Sequence, residues 1–195
     1  MKCGAVLLTL FAAPNLAAAA NTSAYTKFDL AKCAKLDAGN AGEGDSGSWL
    51  CKGYGNLKIY FAEGDLRGLM SFGKAPQKHC AALQTFGGFN SASTTIEWRL
   101  NNNKPIAAIQ RWTVSYDPED SAKTKTWLVV TKIEPNNSCH MAIIEGAYPN
   151  ANAKAREMAD QLSTTFKCET DVQKVISIVP TKADETMTNG TCEKN

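Results

Sequence analysis

The chain holds two histidines, and each adjoins a cysteine, in Lys78-His79-Cys80 and in Cys139-His140. Two thiolates and two imidazoles could close a zinc tetrahedron if the pairs met in space. The same pairs could instead supply a thiol nucleophile with a histidine base, as in a hydrolase. Two physical points weigh against both readings. Neighbouring residues on a strand point to opposite faces, which makes Cys139-His140 an awkward chelate. Oxidation to disulfide also competes for the thiols wherever the surroundings are oxidising. The sequence shows no nucleophile elbow, phosphate-binding loop, haem-attachment or thioredoxin-type spacing. It assigns no catalytic residue, no metal ligand set and no cofactor.

A second group is charged. Arg99 and Arg111 fall on the two strands of a predicted hairpin with Glu97 close by, and Arg67 joins them if its own strand pairs alongside. As cross-strand pairs on a wet face these contribute a few tenths of a kcal/mol each. The sharper alternative is a face that binds an anion or a partner on a rigid sheet. The acids Asp37, Glu43 and Asp45 lie in the glycine-rich run DAGNAGEGDSGS, but their spacing does not match a twelve-residue calcium loop. A solvated loop is the reading that remains. Of the four tryptophans, Trp98, Trp112 and Trp127 lie on predicted strands of one meander, where core packing is the commoner role for an aromatic ring.

The elements that must position these residues centre on Thr94 to Glu145, which reads as a four-stranded antiparallel meander. TTIEWRLN alternates strictly, with Thr94, Ile96, Trp98 and Leu100 on a core face and Thr95, Glu97, Arg99 and Asn101 on a wet one. A turn over Asn101 to Pro105 follows, since asparagine tolerates left-handed backbone and proline interrupts pairing. Ile106 to Tyr116 is apolar on both parities and belongs deeper in the sheet. Trp127 to Ile133 and Cys139 to Glu145 complete the meander, each after a proline-containing turn.

Before the meander, Tyr25 to Leu36 reads as a strand stopping near Cys33. Trp49 to Tyr54, Leu57 to Ala62 and Leu66 to Phe72 read as three further strands, paired with the meander or forming a second sheet against it. Gly73 to Ser93, broken by Pro76, Gly87, Gly88 and Asn90, reads as a long loop. After the meander the period changes. Ala151, Ala155, Met158, Ala159, Leu162 and Phe166 fall at helical spacing, Asn150 is placed to cap the first turn, and Lys154, Arg156, Glu157 and Asp160 fall on the outer side. Val172 to Val179 is a candidate last strand. The expected fold is therefore α+β: an antiparallel meander with one C-terminal amphipathic helix packed on it, stapled by disulfides.

Met1 to Ala20 has one charge at Lys2, an apolar run from Ala5 to Ala13, and a small-residue end at Ala18-Ala19-Ala20. That is the anatomy of a secretory signal peptide cleaved after Ala20. The organisation expected is a signal over 1–20, a single domain over 21–179 and a polar, disordered tail over 180–195 unless Cys192 pins it. No later stretch offers the roughly 18 consecutive apolar residues of a membrane span. The 195-residue chain less its first 20 residues leaves 175, enough to bury roughly 70% of the unfolded surface. Removing Lys2 leaves 20 basic against 19 acidic residues, without the basic excess that nucleic-acid binding requires. Loss of Cys3 leaves six cysteines, an even number that favours disulfides in an exported chain. Position favours Cys33 with Cys51 and Cys139 with Cys168, which leaves Cys80 and Cys192 either bridged together or free.

The strings YTKFDLAKC, WLCKGYG, AEGDLRGLMSFG, TIEWRL and CHMAII, the last leading into an alanine-rich helix, carry a resemblance. From Tyr25 to about Cys168 the chain resembles a family of small exported bacterial proteins of alphaproteobacterial type with no assigned activity. The resemblance implies a periplasmic address and no chemistry. Two functions stay open: a periplasmic or secreted non-enzymatic module that binds a small ligand or a protein, as an inhibitor or accessory factor does, and a hydrolase or metal-dependent enzyme using His79 or His140. The first is favoured because the second has so few residues to work with. It would present its contacts from loops at Gly39 to Ser48 and Gly73 to Ser93.

Overall fold

In the computed structural model, residues 20–37, 46–181, 185–187 and 192 are described. The meander forms as four long strands: β6 (Asn90–Asn101), β7 (Lys104–Ser115), β8 (Thr124–Ile133) and β9 (Ser138–Glu145). β6 and β7 meet in a two-residue turn with Asn102 and Asn103 at φ +47° and +62°. That left-handed pair gives the backbone twist that matches the twist of the flanking strands. β1 (Thr22–Lys27) adds antiparallel to the free side of β6, and β10 (Lys174–Ile176) adds parallel to β9. The result is a six-stranded sheet in the order β1-β6-β7-β8-β9-β10.

A second, antiparallel sheet has the order β2-β3-β4-β5, from β2 (Ala34–Asp37), β3 (Gly47–Lys52), β4 (Lys58–Gly64) and β5 (Arg67–Gly73). The single strand expected from Tyr25 to Cys33 is corrected here, because the chain changes sheets within it. β1 ends at Lys27, and Phe28 still donates its N–H to Thr94 O at 2.7 Å. Asp29 then accepts the N–H of Ala31 at 3.1 Å and caps a short 3-10 turn, Leu30–Lys32, that carries the chain across to β2.

The six-stranded sheet is the middle of three layers. On one face Ile96, Trp98, Trp112, Trp127, Val129 and Ile143 pack against Ile59, Phe61, Met70 and Phe72 of the second sheet. On the other, Ala107, Ile109, Leu128, Val130, Ala142 and Ile144 meet Ala151, Ala155, Met158, Ala159 and Leu162 of the one helix described, α1 (Ala151–Leu162). Burial on both faces explains why the inner strands are apolar on both parities. Asn150 does not cap the helix with its side chain, as the sequence suggested. It sits at φ +56° and makes no capping bond, serving as the left-handed residue that reverses the chain after β9.

Disulfides join Cys33 to Cys51, Cys139 to Cys168 and Cys80 to Cys192, with Cα–Cα distances of 4.4, 5.6 and 5.1 Å. The long-loop reading of Gly73 to Ser93 is also corrected. The segment folds into 3-10 turns at Pro76–Lys78 and Cys80–Leu83, then feeds β6, with Pro76, His79, Cys80, Ala81, Ala82 and Phe86 buried. At the C-terminal end, Met187 forms a β-bridge with Phe86, and the buried Glu185 pairs with Lys125 at 2.6 Å. The glycine-rich loop at 38–45, with Glu43 and Asp45, lies outside the described residues.

Candidate functional site

Both histidines lie in the layer between the two sheets. Ser138, two residues before His140 on β9, shares its face, and its hydroxyl lies 3.2 Å from His79 Nδ1 and 2.9 Å from Ser71 Oγ on β5. His79 Nδ1 also lies 3.2 Å from Phe72 O. A carbonyl only accepts, so the ring proton of neutral His79 sits on Nδ1. That nitrogen therefore donates, and it has no lone pair with which to act as a base toward Ser138. The ring rests on Gly73, where φ is +149° and an added Cβ would come within 2.4 Å of His79 Cε1.

His140 is enclosed completely. Its Nδ1 pairs with Thr131 Oγ1 at 2.8 Å, and its backbone N–H donates to Gln84 Oε1 at 2.9 Å. Its Nε2 has no hydrogen-bond partner among the described residues. Burial lowers the pKa of His140 to about 4 despite the opposing bond from Gln84. Burial also lowers that of His79, against the pull of the Phe72 carbonyl. Both rings are neutral near pH 7. Cys80 and Cys139, their sequence neighbours, are spent in disulfides. Among the described residues no group of three or more His, Cys, Asp and Glu side chains is placed to hold a metal ion.

The structure brings together three of the four charged residues singled out from sequence, on the face that the helix covers. Arg99 makes a two-pronged pair with Asp160, Nε to Oδ1 at 3.0 Å and Nη2 to Oδ2 at 2.6 Å, and also donates to Ser23 Oγ at 2.8 Å. Glu97 accepts Arg156 Nε at 2.6 Å and Ser23 Oγ at 2.5 Å. Arg111 donates to Asn152 Oδ1 at 3.0 Å. Glu97 and Arg99 are buried, so the wet face expected of TTIEWRLN is corrected. Strand parity separates the two faces without saying what covers either. Arg156 and Asp160, assigned to the outer side of the helix, are the covering partners. Arg67 lies apart, at the start of β5, donating to Gly87 O and to Asp65.

A concave feature that the sequence reading missed lies beside β6. Between Ala92 and Ile96 the pairing of β6 with β7 shifts register, and Gln110 Nε2 reaches Ser93 O across the gap. Such bulges bend a strand and break its ladder locally. Here the gap borders a cleft of about 590 Å³ between the sheets. Phe28 and Phe61, 5.1 Å apart between centroids, form its floor with Leu30 and Ala92, while Lys27, Lys32, Asp29 and Glu63 stand around it. The Asp29 carboxyl is held below its ordinary value, first by Lys32 and then by the Ala31 N–H. The broken alternation after Asn90 was the signal available in sequence, and serine and threonine at 91, 93, 94 and 95 hid it.

No family model matches the chain, and no curated protein or solved structure matches it. Among the described residues no helix is long and apolar enough to cross a membrane.

Proposed function

We propose that the protein is an exported, non-enzymatic binding module that holds an amphipathic ligand in the cleft beside the β6 bulge. The observation that carries this reading is the cleft itself. Its volume of about 590 Å³ falls within the roughly 300–1,000 Å³ of small-molecule sites, and an apolar floor with a few polar groups is their usual composition. The floor would take an apolar body, and the lysines and acids around it would take polar ends of either sign. Export is supported by the signal-peptide anatomy of Met1 to Ala20 and by three disulfides, which persist in oxidising compartments. The resemblance to exported bacterial proteins supports a periplasmic address. A non-catalytic role is supported by the state of the two histidines, both enclosed and without a carboxylate partner among the described residues.

The test is recovery of the mature protein from the periplasm and mass spectrometry of what it retains, with Ala92→Glu and Leu30→Asp alongside. The wild type is expected to carry a discrete amphipathic molecule that both variants lose. If the variants retain whatever the wild type retains, the cleft is not the site.

A further inference from the structure

Along its first half, β6 presents an edge with a gap in it. β1 pairs with β6 only from Thr95 to Leu100, and Phe28 adds a last bond, its N–H donating to Thr94 O at 2.7 Å. The chain then leaves that line through the turn Leu30–Lys32 and enters β2. At the other end of the gap Asn90 donates its N–H to Leu66 O at 2.9 Å. Between these two anchors, from Ser91 to Ser93, no described strand lies against the edge. Successive residues of a strand turn their backbone groups to opposite edges. Phe89 O accepts the Ser115 N–H at 2.8 Å and Ser93 O accepts Gln110 Nε2, so both face β7. Asn90 and Thr94 face away from it. The unbroken register from Asn90 to Ala92 aims the N–H and C=O of Ala92 away from β7 as well, on the side where the cleft lies. Neither group makes a hydrogen bond to a described residue. The Ala92 side chain packs against the core that holds Phe28 and Phe61.

We propose that this gap is a strand-docking slot, and that the ligand of the cleft is an extended polypeptide segment of a partner protein with one apolar side chain at its centre. The proposal rests on the cleft being the binding site and names the class of ligand it takes. An antiparallel segment laid in the line that β1 vacates sets one residue opposite Ala92 and exchanges both backbone bonds with it. Residues opposite each other across a ladder share a face. The side chain of that residue therefore follows that of Ala92 toward Phe28, Phe61 and Leu30. The residues before and after it turn to the other face and meet no apolar floor, so polar side chains suit them. Charge does not choose the ligand, since Lys27 and Lys32 stand against Asp29 and Glu63 around the cleft. The backbone does. A fatty chain fills the apolar floor but offers Ala92 no paired donor and acceptor, whereas a residue of an extended peptide carries both.

The test uses the full mature, oxidised protein and follows its amide resonances by NMR. Four probes are titrated: the capped peptide acetyl-Thr-Ser-Leu-Ser-Thr-amide, the same peptide N-methylated at leucine, the same peptide with alanine for leucine, and decanol. The parent peptide is expected to shift the Ala92 amide saturably and to slow its hydrogen exchange. N-methylation removes the donor to Ala92 O and should weaken binding about tenfold or more, the equivalent of one hydrogen bond. Alanine at the centre should weaken it by a similar factor through lost apolar contact. Leu30→Asp should weaken both the parent peptide and decanol. The peptide comparisons need no variant of the protein. Decanol separates this proposal from the reading beneath it. If decanol binds and the N-methylated peptide binds as tightly as its parent, the slot is overturned and the cleft stands. If no probe binds, both fall. An Ala92 amide that shifts with protein concentration alone would mean that a second copy fills the slot, and would also overturn the proposal.

Discussion

The two faces of the six-stranded sheet bury polar groups in opposite ways. Toward the helix the sheet carries full charges, Arg99 with Asp160 and Glu97 with Arg156, set at the margin where the Asp160 side chain keeps 33% and that of Arg156 38% of its exposure. Toward the second sheet the groups enclosed around β5 and β9 are histidines, serines and a threonine, with both rings held neutral. The charged Lys125, Glu145 and Glu185 pair at the end of β8, where the lysine keeps part of its exposure. The difference teaches what each layer permits. A helix laid on a sheet leaves an edge where charged groups keep part of their hydration while pairing. The centre of two sheets packed face to face has no such edge, and a group there must pair as a neutral donor or acceptor.

The largest effect expected is on the sheet-to-sheet face. Trp98 is fully buried, meets Phe72 edge-on at 5.4 Å and donates its indole N–H to Thr26 at 2.8 Å. Trp98→Ala should cost about 3–5 kcal/mol in urea denaturation, as large aromatic truncations do. Met158→Ala on the helix face should cost only about 2–3 kcal/mol. Equal losses would mean that the helix contributes as much core as the second sheet.

Acid comes next. Unfolded His140 titrates near 6.5 and the folded one near 4, so between those values the unfolded chain binds more protons. Stability contributed by the neutral ring is complete above about pH 6.5 and is lost as pH falls toward 4, by about 3 kcal/mol in all. Urea midpoints measured from pH 7 to 4 should slope accordingly, and His140→Gln should flatten the slope whatever its effect at pH 7. An unchanged slope in that variant would mean the enclosed ring is not what acid acts on.

On the helix face, Asp160→Ala leaves the buried Arg99 guanidinium without its anion. The loss should be about 2 kcal/mol, less than for a fully buried pair because the aspartate is one-third exposed. Replacing both partners, with Arg99→Met and Asp160→Leu, should recover most of it. The smallest effect belongs to Arg111→Ala. Its bond to Asn152 is exposed, and the change should stay within about 0.5 kcal/mol by thermal denaturation.

Much of the fold was legible because the relevant signals are local. The alternation through Ile96, Trp98 and Leu100, the paired asparagines at 102 and 103, and the helical spacing from Ala151 to Leu162 each depend on residues a few positions apart. Two of the cysteine pairs were legible from position, since Cys33 and Cys51 bracket one loop and Cys139 and Cys168 bracket the helix, while the pairing of Cys80 with Cys192 was left open until the structure joined them. Less of the candidate site could be read. Phe28, Leu30, Phe61 and Ala92 meet at the cleft from segments that share no local pattern, and the handover of the chain from β1 to β2 decides that they meet at all. Arg67 was grouped with Arg99 on the premise that their strands pair. Its strand belongs to the other sheet.

The sequence by itself determined the strands of the meander, the helix and the α+β class, because backbone propensity and the period of apolar residues are properties of short stretches. Only the tertiary structure decided which polar residues are enclosed and which line a pocket. Parity assigns a side chain to a face, but the dielectric it experiences, and hence its charge and its partners, depends on the layer that closes over that face.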